Sequence, residues 1–155
     1  MKIGILTYHR AHNYGAMLQA YALQHFLQSK GHHVDFIDYW PKDHADEYNL
    51  WKPLRGTLKQ IIATIVVSGL TFWRRWARIR KFQTFVTDYL CLPQIAKYAE
   101  HAAVIDESYD CVVVGSDQIW RNRSSMGHYY GFDPTFFCQT LSQPTHCISY
   151  AASMG

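Results

Sequence analysis

The chain lacks several features that would settle its class quickly. It has no C-x-x-C pair, no glycine-rich phosphate loop, no apolar run of membrane-spanning length, and only 17% charged residues. Fifteen Lys+Arg against twelve Asp+Glu leave a formal charge of +3, too small a surplus to argue for nucleic acid as a partner. Cys91, Cys111, Cys138 and Cys147 are widely spaced and show no paired metal-ligand spacing. The opening residues, MKIGILTYHR, carry neither the apolar run nor the small-residue cleavage site of a signal peptide. The cysteines are therefore expected to be reduced and mostly buried, in a cytoplasmic protein. The longest apolar run, Ile61 to Trp73, is broken by Thr64, Ser68, Gly69 and Thr71. It falls short of the roughly 20 residues a spanning helix needs. The dinucleotide fingerprint G-x-G-x-x-G, the phosphate loop G-x-x-x-x-G-K-[ST] and the nucleophile elbow G-x-S-x-G are all missing.

What is present is material for a core. The chain is 155 residues long and 48% hydrophobic, which suits one domain of the roughly 100–200 residues a single core commonly serves. Lys2–Tyr8 (KIGILTY) reads as a strand buried on both faces. A polar loop follows, and Ala16–Lys30 repeats Ala16, Ala20, Leu23 and Leu27 at helical spacing, with Lys30-Gly31 as its stop. Val34–Tyr39 (VDFIDY) makes a second strand. Strand, helix and strand in this order form a βαβ unit, which implies parallel strands. Residues 40–55 read as a long loop. About 56–90 reads as helical and basic, with a break near Gly69, and Ile95–Asp106 as a short helix. Tyr109–Gly115 is the clearest strand, 121–144 is mostly loop with a short strand or helix, and His146–Ala152 is a last strand. The pattern is α/β with a mainly parallel sheet.

Within the helical segment, Trp76, Ile79, Phe82, Val86 and Tyr89 form one stripe at helical pitch, with Arg75, Arg78 and Lys81 off it. The simpler reading is an amphipathic helix with a solvated basic face. The sharper one is peripheral attachment to anionic lipid through Arg74, Arg75, Arg78 and Lys81 and the nearby apolar residues. No motif supports RNA binding there.

In open α/β sheets ligands bind beyond the carboxyl ends of the strands, and three segments fall there. The first is His9-Arg10-Ala11-His12-Asn13-Tyr14-Gly15. Gly15 and the helix start offer backbone N–H groups to an anion or a sugar hydroxyl, and Asn13 would equally serve as a plain helix cap. Asp35 and Asp38 lie where a ribose-binding acid would, but the glycines of that motif are missing. The second segment, Gly115-Ser116-Asp117-Gln118-Ile119-Trp120, presents hydroxyl, carboxylate and amide groups suited to sugar hydroxyls, with Trp120 to stack on a sugar face. Its competing reading is a helix cap with Trp120 in the core. The third, Ser149–Ser153, reads as structural. The nine histidines do not make a metal set, because neither His9/His12 nor His32–His33 has carboxylates at ligand spacing.

Taken together, KIGILTYHRAHNYGAMLQAYALQ, GHHVDFIDY, YDCVVVGSDQIW and ISYAASMG resemble the polysaccharide pyruvyl transferase family. The resemblance implies one Rossmann-like half of a two-domain glycosyltransferase-B fold, with a parallel sheet and flanking helices. It also implies transfer of a pyruvyl group from phosphoenolpyruvate to the hydroxyls of a glycan or a lipid-linked sugar, forming a cyclic ketal on a cell-surface polysaccharide. No resident cofactor or metal is expected, and no nucleic acid. Asp117 is the candidate base or hydroxyl ligand. His9, Arg10, Asn13, Tyr14, Gly15, Ser116, Gln118 and Trp120 are candidate substrate-binding residues. Family members are longer, so the chain is expected to be an N-terminal domain, at the inner face of the membrane if peripheral, that acts only with a complementary second half. Two other readings stay open: a non-catalytic sugar- or anion-binding remnant, and one half of a nucleotide-sugar glycosyltransferase.

Overall fold

The computed structural model describes residues 1–39, 57–92, 109–125, 128–139, 141 and 145–155. The expected loop over 40–55 and the short helix over 95–106 lie outside these residues. The described chain runs β1 (Lys2–Leu6), α1 (Tyr14–Ser29), β2 (His33–Phe36), α2 (Leu58–Tyr89), β3 (Cys111–Asp117), β4 (Arg123–Ser125), β5 (His128–Gly131), a short 3-10 helix (Pro134–Phe137) and β6 (His146–Ala152). Four strands form a parallel sheet in the order β2-β1-β3-β6, and β4 and β5 pair separately as an antiparallel hairpin. The chain is an α/β arrangement with a parallel sheet, as its sequence pattern implies, and Rossmann-like, as the resemblance implies.

β1 and β3 sit centrally because both are apolar on both faces, as strands covered from two sides must be. One face carries Ile3, Ile5, Cys111 and Val113 and meets Met17, Ala20 and Leu23 of α1 and Phe82, Val86 and Leu90 at the end of α2. The other face carries Leu6, Val112 and Val114 and is covered by Tyr8, Ile37, Tyr39, Tyr109, Ile119 and Phe136. Gly4 makes room on this second face, where a Cβ would come within 2.9 Å of Ile37 Cδ1.

The expected break near Gly69 does not occur: α2 is continuous from Leu58 to Tyr89. A glycine inside a helix lowers its stability by about 1 kcal/mol, which does not interrupt this 32-residue helix. The C-terminal end of α2 is firmly tied. Gln24, buried in α1, donates from Nε2 to the Tyr89 carbonyl at 3.1 Å and accepts from the Cys91 amide at 2.9 Å. The Cys91 carbonyl in turn accepts from Phe36 N in β2. The stripe expected on this helix is only partly buried. Phe82 and Val86 are in the core and Ile79 is half-buried, whereas Trp76 and Tyr89 are exposed at its margins.

β6 matches its sequence-based limits but not the burial of its neighbour: it is exposed on both faces from His146 to Ala151. The cysteines also depart from expectation. Only Cys111 is buried and Cys138 is half-buried, while Cys91 and Cys147 are exposed. Burial, reinforced by the neighbouring Cys147 thiol, pushes the Cys111 and Cys138 thiols up, which makes both poor nucleophiles.

Candidate functional site

In the order β2-β1-β3-β6 the chain leaves β1 toward β2 on one side, while β3 continues to β6 on the other. The carboxyl ends of β1 and β3 therefore flank the point where the connections diverge, the place such sheets use for ligands. Two turns meet there, one after β1 and one after β3.

The turn after β1 is closed on itself. His9 is 0% exposed, and its Nε2 lies 3.0 Å from Asp38 Oδ1 while Nδ1 faces the Thr7 carbonyl at 3.1 Å. Arg10 grips the same carboxylate with two prongs, Nε to Oδ1 at 2.6 Å and Nη2 to Oδ2 at 2.5 Å. The Asp38 side chain is 4% exposed and that of Arg10 is 22% exposed. Burial alone would raise the Asp38 carboxyl, but the hydrogen bonds and charges of His9 and Arg10 overcome it and hold it well below the ordinary carboxylate range. Sequence position marks Asp38 only as lying where a ribose-binding acid would, not as the partner of His9 and Arg10. Its pairing with residues 28 and 29 positions away forms only when β2 is laid beside β1.

The same loop is fastened to α2. Arg78 Nη2 donates to the His12 carbonyl at 2.8 Å, and the His12 ring stacks on Phe82 with centroids 5.4 Å apart. Burial and the adjacent Arg78 charge lower the His12 pKa, so its ring is neutral near pH 7. Asn13 caps α1, accepting from Gly15 N at 2.8 Å. Tyr14 projects into solvent at 68% exposure with one side of its ring against Phe82, 4.8 Å between centroids. Met17, Leu18, Lys81 and Phe85 complete an apolar cleft around Tyr14 and Phe82 of about 160 Å³.

The turn after β3 is open. The strand runs two residues beyond Gly115, so Ser116 and Asp117 are still strand residues, with Asp117 paired to Ala152 of β6. Gly115 has φ +129°, and a Cβ there would come within 2.0 Å of the Tyr150 carbonyl oxygen, so only glycine permits this approach of β3 to β6. The Gly115–Ser116 peptide bond is cis. Ser116 is buried and sits beside β1, its carbonyl 3.5 Å from Thr7 Oγ1. Asp117 Oδ1 accepts from Gln118 N at 2.7 Å, and the backbone is clipped to the end of β6 by Ser153 N to Asp117 O and Trp120 N to Ser153 O. Among the described residues Asp117 Oδ2, Ser116 Oγ and the Gln118 amide make no hydrogen bond.

Trp120 follows its structural reading. Its Nε1 donates to the Phe136 carbonyl at 3.2 Å and its ring stacks on Phe137, 5.7 Å away and 11° from parallel. The 3-10 helix that presents these rings is held by Asp133, which accepts from Thr135 N and from Tyr39 Oη at 2.7 Å. Sequence reasoning missed this aromatic collar of Tyr8, Tyr39 and Phe136. The signal available was the density of aromatics in 129–137. Among the described residues no three His, Cys, Asp or Glu side chains are grouped to hold a metal ion.

The chain is thus an α/β domain whose parallel sheet carries an open polar turn at its switch point. The sequence profile of the polysaccharide pyruvyl transferase family matches residues 13–155, nearly the whole chain, and the protein belongs to that family. The match begins at Asn13, so His9 and Arg10 lie outside it while Tyr14, Gly15 and Ser116–Trp120 lie within. Neither a curated protein nor a solved structure matches the chain.

Proposed function

We propose that this domain forms the acceptor-binding wall of a pyruvyl transferase, with the turn Ser116-Asp117-Gln118 holding the sugar hydroxyls that receive the pyruvyl group. The observation that carries the reading is the uncommitted set of a hydroxyl, a carboxylate oxygen and an amide on adjacent residues at the switch point. Paired hydroxyls of a sugar need both donors and acceptors at short range, and these three groups supply them.

In the reaction, the methylene carbon of phosphoenolpyruvate takes a proton from a general acid, which leaves an oxocarbenium-like centre. One sugar hydroxyl adds there and phosphate departs. A second hydroxyl then closes the cyclic ketal. Asp117 Oδ2 would accept the proton released by an attacking hydroxyl. Phosphate and carboxylate groups of the donor need cations, and Arg10 is committed to Asp38. Donor handling is therefore assigned to groups other than this cluster, and acceptor binding to the Asp117 turn.

The test is phosphate release from phosphoenolpyruvate by the polypeptide carrying this domain, with and without methyl glycosides that have free neighbouring hydroxyls. Release that depends on the acceptor and is lost in Asp117→Asn, at unchanged melting temperature, supports the reading. Release indifferent to the acceptor or to Asp117→Asn overturns it. A melting temperature raised by nucleotide sugars and not by methyl glycosides points instead to a glycosyltransferase half.

A further inference from the structure

Among the described residues, α2 meets the core of the sheet at its C-terminal end. From Phe82 onward it packs into the core, whereas most of its N-terminal two-thirds is exposed. The exposed side there is apolar. At about 100° per residue, Leu58, Ile62, Ile65, Val66, Gly69, Trp73 and Trp76 fall in one continuous stripe. Leu70, at its edge, is 79% exposed and Trp73 is 71% exposed. The less exposed side, in line with Phe82 and Val86, is mixed: Ile61 and Phe72 alternate with Thr64, Ser68, Thr71 and Arg75. A helix that serves only its own core leaves no such apolar stripe bare, and in water the stripe is a binding surface or an aggregation hazard.

The charges are arranged to match one kind of surface. Lys59, Arg74, Arg75, Arg78, Arg80 and Lys81 lie in a segment with no Asp or Glu before Asp88. At helical pitch Lys59, Arg74 and Lys81 flank one side of the stripe. Arg80 continues its line, with its guanidinium over the Trp76 ring at 5.2 Å. Trp73 and Trp76 meet edge to face, 5.9 Å apart, where the apolar stretch gives way to the cations. An exposed apolar stripe with tryptophans on it and cations along its flank is the make-up of a helix that lies in the boundary of an anionic bilayer. No described helix is long and apolar enough to cross a membrane, so this one would lie in the interface.

We propose that the exposed stripe of α2 docks the domain on an anionic phospholipid surface, with Leu70 and Trp73 inserted and Arg74, Arg80 and Lys81 at the headgroups. The inference is independent of the assignment of Asp117.

The test is co-sedimentation of the full chain with vesicles of phosphatidylcholine alone or with about 30% phosphatidylglycerol, enough to set a negative surface potential. Binding should favour the anionic vesicles by about tenfold or more and weaken in high salt, as screening requires. Leu70→Gln and Trp73→Ser should each cut binding several-fold. The pair Arg74→Gln and Arg80→Gln should remove the preference for anionic lipid. Circular dichroism should show all variants folded, because these side chains lie outside the packed core. Absence of binding to either vesicle overturns the proposal, as does binding that Leu70→Gln leaves unchanged. Displacement of vesicles by single-stranded RNA, or lipid-free dimers that Leu70→Gln dissociates, overturns it in favour of those partners.

Discussion

The turns after β1 and β3 stand side by side at the same end of the sheet and are built on opposite principles. After β1, every strong polar group looks inward: Asp38 receives His9 and Arg10, and the loop is pinned to α2 through Arg78. After β3, the backbone is fixed by Ser153 while the side chains of Asp117 and Gln118 are left open, with the buried Ser116 hydroxyl behind them. A satisfied buried ion cluster sets the shape of a site, and unsatisfied groups on a fixed backbone do its binding. The more conspicuous charges, His9 and Arg10, therefore belong to the scaffold. The less conspicuous turn is the one suited to a ligand.

The largest effect expected from breaking this contrast is on stability. Asp38→Asn removes the carboxylate that two basic side chains share, and should destabilise the fold by about 3 kcal/mol, as loss of one partner of a buried ion pair does. In a chain of this size that is a fall of roughly 6–12 °C in melting temperature, readable by calorimetry. The same group sets an acid limb. Its folded carboxyl is held below the roughly 3.9 of an unfolded Asp, so its stabilisation is complete well above that value and drains away as pH falls through and below it. Urea midpoints measured from pH 6 downward should therefore decline in the wild type and decline less steeply in Asp38→Asn. Trp120→Phe keeps the stacking on Phe137 and removes the bond from Nε1 to the Phe136 carbonyl, for a loss of about 1 kcal/mol. Asp117→Asn should sit lowest, within about 0.5 kcal/mol of wild type, because an asparagine oxygen can still accept from Gln118 N.

Much of the scaffold was legible in the residues. The βαβ start followed from apolar runs and helical spacing, Asn13 serves as the helix cap, and β6 has the limits its pattern suggested. The unread parts are those that depend on tertiary placement. Asp38 meets Arg10 only across two strands, Gln24 finds the end of α2 only after the chain has travelled 65 residues, and Trp120 turns toward Phe136 and Phe137 because the 3-10 helix brings them there. Gly69 suggests a break when read locally, whereas a single glycine's propensity is small against a 32-residue helix. Periodicity located the basic helix correctly but not which of its faces is bare, since that depends on how its last turns meet the sheet.

The central claim, that the open turn after β3 binds sugar hydroxyls, is tested most directly by saturation-transfer NMR on the full chain. The probes are methyl gluco-, galacto- and mannopyranosides, set against counterparts with the 4- and 6-hydroxyls blocked. The account predicts transfer to at least one free diol, little to its blocked form, and loss of the signal in Asp117→Asn while the melting temperature holds. Transfer to none of the free diols, or a signal that survives Asp117→Asn, would contradict it.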